Sequence, residues 1–486
     1  MTKTKQIETT GKTGQLTALP HERLERVWAW GGASSSMGYV FRPTTLEQLR
    51  DVFELAYQSG RSVGLKGGGN SYGDAFMNSE NIVLDLSRMN RILAWDPETG
   101  VIQVEPGVSI EQAWKYILED GWWPPVVTGT MKTTFGGCAG MNVHGKNAWQ
   151  VGPIGDHILE FDLMLPSGAI MTCSREVHSD IFHAAIGGFG MLGCFTSLTL
   201  QMKRIYSGYL QVKTSAPANL QEMFTFFEEN LATSNYIVGW IDAFAQGDAL
   251  GRGDAHLANY LPSGADPNPQ QSLRLDRQNL PDTIAGIVPK SSMWMFMRPF
   301  MNNWGTSFVN LAKYTAGHLG SGKNYWQTHA AFHFLLDYVP NWKKSYGGDG
   351  LIQYQPFIPK ENAREAFAAI LRTCQQHDLP NYLTVFKRHR PDDFMLTHGL
   401  DGYSMAMDFR VTDGRRPQLT TLARELDAIV LAANGRFYFA KDSTLTPETT
   451  VAYLGQDTVN QFHALKNQCD PDHILQTDLW RRLFVA

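Results

Sequence analysis

Long apolar runs are missing from this chain: nothing in its 486 residues approaches the roughly 18 to 20 consecutive apolar residues of a membrane-spanning helix. The stretch Met1–Pro20 is polar and rich in Thr and Lys, without the apolar core of a secretory leader. A cytoplasmic protein with at most peripheral membrane contact is therefore expected. Cysteine is also scarce. Cys138, Cys173, Cys194, Cys374 and Cys469 are odd in number and widely spaced, with no C-x-x-C pair, so neither a disulfide scaffold nor a zinc site is suggested. Reduced thiols and no bound metal are expected. Basic clusters are absent too: 42 Lys and Arg lie scattered among 47 Asp and Glu, and the net charge of −5 argues against a nucleic-acid partner. The sequence shows no internal repeat.

Glycine, in contrast, is plentiful, and its placement is informative. Leu65-Lys66-Gly67-Gly68-Gly69-Asn70-Ser71-Tyr72-Gly73-Asp74 follows the strand-like run Arg61–Leu65, and no helix comes after it. Adjacent glycines let the backbone approach a ligand without Cβ clashes, so successive N–H groups can converge on a pyrophosphate. A plain glycine-rich hairpin loop fits the same residues. Two further matches are decoys. Gly188-Phe189-Gly190-Met191-Leu192-Gly193 satisfies G-x-G-x-x-G, yet it follows a helix-like segment and precedes the strand Phe195–Leu200, the reverse of a Rossmann turn. Gly140–Asn147 has P-loop spacing but ends in Asn, without the hydroxyl that would ligate Mg²⁺.

A chain of this length implies two or three domains. Thr45-x-x-Gln48 reads as a capping box for a helix that Gly60 ends. Ile82–Leu86 is a short strand, and Ile92–Glu105 and His157–Cys173 read as hairpins. Trp123–Gly155 is irregular yet rich in Trp, Val and Met, as suits a segment buried against a ligand. The first 200 or so residues thus form an α+β unit of short strands. Beyond Tyr206 a helix at Ala218–Ala232, strands at Tyr236–Ala243, Leu351–Ile358 and Tyr403–Arg410, and a helix at Glu361–His377 are expected, with Leu261–Pro289 as a mobile loop. The Met- and Trp-rich run Met293–Trp304 has the composition of core, with docking to a lipid tail as the alternative.

These residues carry a resemblance. The loop Gly67–Asp74, Pro106-Gly107-Val108, Gly136-Gly137 leading to His144-Gly145-Lys146-Asn147, and Gly187–Gly193 occur in the order of the vanillyl-alcohol-oxidase (PCMH-type) FAD domain. Within that superfamily the chain most resembles the decaprenylphosphoryl-β-D-ribose 2-oxidases, through Gly350–Gln355 with Ile358-Pro359, Val385–Arg388 and Phe439–Ser443, from about Phe41 to Phe484. The resemblance implies a two-lobed fold: a discontinuous FAD domain from 1–205 and 431–486, and a substrate domain, 206–430, built on an antiparallel sheet with helices. It implies FAD held by Gly67, Gly68, Gly69, Asn70, Ser71, Tyr72, Gly73, Gly136, Gly137, His144, Lys146, Asn147, Gly190, Gly193 and Lys441. Asn70 stands where many relatives carry a flavin-linking His, so FAD is expected to be non-covalent. The implied catalytic set is Lys441, Tyr72, Lys387, Gln353 and Gln355; spacing alone would leave Lys441 a surface lysine. Ala406 takes the place of a cysteine found in other members. The implied reaction is oxidation of a secondary hydroxyl on a polyprenyl-phosphate-linked pentose, the first half of an epimerisation that a separate NAD(P)H-dependent keto-reductase would complete. Alternatives are an oxidase of free alditols or aldonolactones, an ene reductase related to sterol Δ24-reductases, and a non-enzymatic flavin-binding protein.

Overall fold

A computed structural model describes residues 17–284 and 288–485. Most of Met1–Pro20 and part of Leu261–Pro289 therefore lie outside the described residues. The N-terminal part is α+β. Leu24–Trp28, Ser35–Phe41, Ile82–Asp85 and Val63–Lys66 form a four-stranded sheet in that order, the last three parallel. The helix Leu46–Ser59 is the crossover from Ser35–Phe41 to the parallel Val63–Lys66, with Ile82–Asp85 then inserted between them. Thr45 starts this helix by accepting from the Gln48 N–H at 3.2 Å, and Gly60, at φ 62°, ends it. Its Leu49, Val52, Phe53 and Ala56 recur at helical spacing and bury against Val63, Ile82 and Leu84, each apolar side chain contributing on the order of 1.5–3 kcal/mol. A second, five-stranded antiparallel sheet runs Ile92–Asp96, Val101–Val104, Cys194–Gln201, Ile158–Met164, Ile170–Ser174.

The rest is organised by a nine-stranded antiparallel sheet in the order Asn324–Thr328, Tyr209–Ser215, Gly253–Tyr260, Tyr236–Ile241, Leu383–His389, Gly402–Arg410, Pro356–Pro359, Arg436–Phe437, with Leu351–Tyr354 also paired to Gly402–Arg410. The period of two divides its side chains. Phe386, Met405, Met407 and Phe409 join one continuous core with Phe367, Ile370 and Leu371 of the helix Lys360–Gln376. Lys387 pairs with Ser404, Val385 with Ala406 and Gln353 with Asp408, and these side chains share the opposite face.

The two parts are laced together by the C-terminal segment. Val63 and Gln476 exchange backbone bonds with the 474–476 turn and Val63, and Arg482, on the helix Asp478–Phe484, reaches both Asp74 (2.8 and 2.9 Å) and Asp442 (2.8 Å). Nearby, Lys466 and Asp470 form a fully buried ion pair at 2.8 Å, with Lys466 Nζ also donating to the Met191 and Leu475 carbonyls.

Three expectations need correction. Leu351–Ile358 is two strands, because Pro356 has no N–H to give and interrupts the ladder after Tyr354. The described part of Leu261–Pro289 is pinned rather than loose: Asp266 accepts from Ser207 (2.5 Å) and Ser272 (2.6 Å), and Gln278 donates to the Gly208 carbonyl at 2.9 Å. Of Met293–Trp304 only Met301 joins a buried apolar cluster, with Tyr72 and Tyr346. Met295, Phe296 and Trp304 are exposed, and the short helix Met293–Met297 packs mainly on the turn Trp342–Tyr346 and its sequence neighbours.

Candidate active site

A cavity of about 550 Å³ runs from the glycine loop to the inner face of the nine-stranded sheet. Gly67, Gly68, Gly69, Asn70, Ser71 and Tyr72 form one wall, Gly136, Gly137, His144, Lys146 and Gly190 another, and Gln353, Gln355, Lys387, Ala406, Asp408 and Lys441 the floor. Three expected cofactor residues stand behind these walls. A Cβ on Gly73 would meet the Asp442 carbonyl oxygen at 1.9 Å, so Gly73 lets the first loop lie against the Lys441 turn. Asn147 donates to the Pro125 carbonyl at 2.9 Å, and Gly193 packs on Leu163. All three shape the site from outside it.

The first loop fits a dinucleotide. Gly67 lies so close to Thr134 Oγ1 that a Cβ would sit 2.5 Å away, and Gly69 takes φ 66°. Thr134 Oγ1 accepts from the Gly68 and Gly137 N–H groups at 3.2 and 3.4 Å, joining the two glycine segments edge to edge. Among the described residues, the N–H groups of Gly69, Asn70 and Ser71 find no protein acceptor. Buried Asn70 Oδ1, His144 Nδ1, Gln353 Oε1 and Asp408 Oδ2 are likewise unpartnered. Orphaned polar groups around one cavity are costly unless a ligand satisfies them, and a nucleotide with a hydrogen-bonding ring system has the donors and acceptors to do so.

The floor is built by strand alternation. Gln353 Nε2 donates to Asp408 Oδ1 at 2.5 Å. Gln355 Nε2 lies 3.1 Å from both His144 Nε2 and Ser404 Oγ, and His389 Nε2 lies 2.7 Å from the same hydroxyl. Lys441 sits in the turn after Tyr438, its N–H donating to the Tyr438 carbonyl at 2.9 Å, and its Nζ lies 4.1 Å from the centre of the Tyr72 ring. Tyr72 is fixed in turn by its N–H donating to the Ala440 carbonyl at 2.9 Å. Lys146 Nζ donates to the Phe332 carbonyl and stands 4.3 Å from that ring centre. Among the described residues no carboxylate lies within ion-pairing distance of Lys146, Lys387 or Lys441.

Burial governs the charges. It pushes Lys146 down to about 7 and Lys387 down to about 8 from the ordinary lysine value. Lys441 is lowered by burial, against the pull of Asp408, while burial raises Asp408 despite the Gln353 hydrogen bond. The imidazoles are held neutral: burial first, then Lys387, drives His144 and His389 well below the usual histidine range. Three amines thus line one cavity together with a raised acid and a neutral imidazole.

Asp408, Ser404 and His389 were not singled out from the sequence. An acid inside the apolar run Met405–Phe409 was the available signal for Asp408; the two partners of Gln355 come from across the sheet and leave no local trace. No group of three or more His, Cys, Asp or Glu among the described residues is placed to hold a metal, and no described helix is long and apolar enough to cross a membrane.

The profile of the FAD binding domain family matches residues 37–174. The chain is 30% identical to the decaprenylphosphoryl-beta-D-ribose oxidase of Mycolicibacterium smegmatis over 468 residues, covering 94% of this chain and 97% of that one. It is 28% identical over 196 residues to the L-gulonolactone oxidase of Bos taurus, 40% of this chain and 43% of that one. Cytokinin dehydrogenase 3 of Arabidopsis thaliana is 28% identical over 173 residues, 34% of this chain and 32% of its own. The partial matches fall short of the nine-stranded sheet's full extent; the first match spans both parts of the molecule.

Proposed function

Because the chain belongs to the decaprenylphosphoryl-β-D-ribose oxidase family, and so is an FAD-dependent oxidoreductase acting on CH–OH groups, we propose that it oxidises a secondary hydroxyl of a pentose carried on a polyprenyl phosphate, to the 2-keto sugar. The observation that carries this reading is the set of three buried lysines, without carboxylate partners among the described residues, facing one cavity beside the glycine cradle. Proton transfer and the cofactor can occupy Lys441 and Lys146; the third amine, Lys387, has no use for a neutral polyol and suits a phosphodiester. Val238, Trp240, Phe332 and Leu336 add apolar lining to the same cavity and suit the first units of a lipid chain.

Oxidation of an alcohol removes a hydride from carbon and a proton from oxygen. Gly67–Ser71, Gly136, Gly137 and Gly190 would hold FAD without a covalent link, and when bound it would supply the hydride acceptor. The protein's own residues handle the rest. Lys441 Nζ, neutral in part because burial lowers it, takes the hydroxyl proton, and Asp408 on the same floor tunes that amine. Lys387 neutralises the substrate phosphate, and Lys146 adds positive potential near the ring of the cofactor. Gln353 and Gln355, held by Asp408 and by Ser404, fix the sugar, while the Tyr72 ring supports Lys441 Nζ and the ammonium it becomes on taking the proton. The keto product is then a substrate for a separate NAD(P)H-dependent reductase.

The direct test is an anaerobic spectrum. Acid precipitation of the purified protein should leave yellow FAD in the supernatant, and a phosphopentose lipid analogue should bleach the bound flavin. Bleaching by free alditols or aldonolactones alone would move the assignment to that class. A further expectation concerns pH. The active form of Lys441 is the neutral amine, which is populated above its pKa, so the rate of flavin reduction should rise with pH through an inflection well below the ordinary lysine range and then level off. A flat profile would remove Lys441 from the proton-transfer role.

A further inference from the structure

The helix Asn303–Leu319 is patterned inside out. Its buried positions are Gly305, Thr306 and Asn310, and Asn310 donates to Asp242 Oδ1 at 3.0 Å. Its outward stripe is Trp304, Phe308, Leu311 and Leu319, spaced by helical turns and exposed to 76%, 56%, 48% and 78%. Phe296 and Phe300, on the segment just before it, are exposed as well. A soluble protein normally turns such a stripe inward, and an exposed apolar surface of this extent marks an interaction site.

Charge says what covers it. Although acids outnumber bases in the chain as a whole, no Asp or Glu occurs between Asp282 and Asp337, while Arg298, Lys313 and Lys323 do, and Lys344 lies beside Trp294. Aromatic side chains flanked by the exposed bases Arg298, Lys323 and Lys344, with one exposed acid, Asp378, held by Asn303 at 2.8 Å, suit the headgroup layer of an anionic bilayer, where rings sit at the interface and bases meet lipid phosphates. The same helix borders the cavity: Lys313 lines it, with Nζ 3.7 Å from the Trp240 ring centre, and exposed Tyr325 and Leu335 line it too.

We propose that the face formed by Phe296, Phe300 and the Trp304–Phe308–Leu311–Leu319 stripe docks on the surface of an anionic lipid bilayer and sets the cavity mouth against it. Substrate then passes from the membrane into the cavity beneath Lys313 without leaving apolar surroundings. The direction of entry rests on the lipid-linked reading of the site; the docking itself does not.

The test is co-sedimentation of the FAD-loaded protein with phosphatidylcholine vesicles, with and without phosphatidylglycerol. The wild type should pellet with the anionic vesicles and more weakly with the neutral ones, and added salt should reduce the difference. The triple variant Trp304→Glu/Phe308→Glu/Leu319→Glu should lose roughly tenfold or more in vesicle affinity. Its flavin spectrum, and its reduction by a water-soluble short-chain phosphopentose analogue, should stay as in the wild type. Absence of wild-type pelleting, or equal pelleting of the variant, would overturn the proposal. So would a dimer in solution that the variant dissolves, because the face would then belong to a second copy. Vesicle binding with no bleaching by any phosphopentose would leave the docking standing and remove the substrate reading; bleaching without vesicle binding would do the reverse.

Discussion

Replacing Lys441 with alanine should leave FAD bound and slow its reduction by substrate by roughly 10²–10⁴-fold, the usual worth of a positioned general base. The size follows from the surroundings. Lys441 is the amine placed over Tyr72 and opposite Asp408, and burial has already brought it towards the neutral form that accepts a proton. The cofactor contacts assigned to the two glycine segments do not pass through its side chain, so the variant should keep its flavin spectrum. Single-turnover anaerobic reduction separates the two effects. If the variant reduces at the wild-type rate, the proton goes elsewhere, and Asp408 becomes the candidate. Lys441→Arg is the informative control, because guanidinium restores charge but cannot give up its proton.

Lys466→Met should destabilise the FAD-loaded protein by about 3–5 kcal/mol, the cost of stranding a buried charge. Asp470 would keep the Ile474 and Leu475 N–H groups, both at 2.8 Å, but lose its counter-ion, while the Met191 and Leu475 carbonyls would lose their donor. The damage should reach the cofactor, since Met191 follows Gly190 on the cavity wall. Denaturant melts followed by both tryptophan and flavin fluorescence would read stability and retention together. An unchanged midpoint would mean that solvent or a rearranged neighbour takes the place of the amine.

How much of this was legible beforehand differs by residue. The Thr45 cap, the Gly60 stop and the glycine loop could be read because they obey local rules of backbone geometry. Lys441 and Lys387 could be placed only by resemblance, because a lone lysine after an apolar run looks the same whether it faces water or a cavity. Their burial and lack of carboxylate partners among the described residues are properties of the assembled sheet. Gln353 and Gln355 both line the cavity, although the ladder is interrupted at Gln355, between Tyr354 and Pro356. The segment Met293–Trp304 misled in the opposite sense: composition measures how apolar a stretch is, whereas burial depends on whether another element arrives to cover it. Asp408 went unnoticed because one acid in a strand signals nothing until the register sets it against Gln353.

The Arg482 bridge carries a consequence for the order in which the protein comes into being. Asp74 and Arg482 are 408 positions apart, and the whole nine-stranded sheet is made between them. During synthesis the first glycine loop leaves the ribosome long before its brace exists, and it waits as an unbraced connection between two parallel strands while the intervening sheet forms. Flavin capture is accordingly a late, post-translational event, and a shortage of FAD would be felt by a nearly finished chain rather than a nascent one.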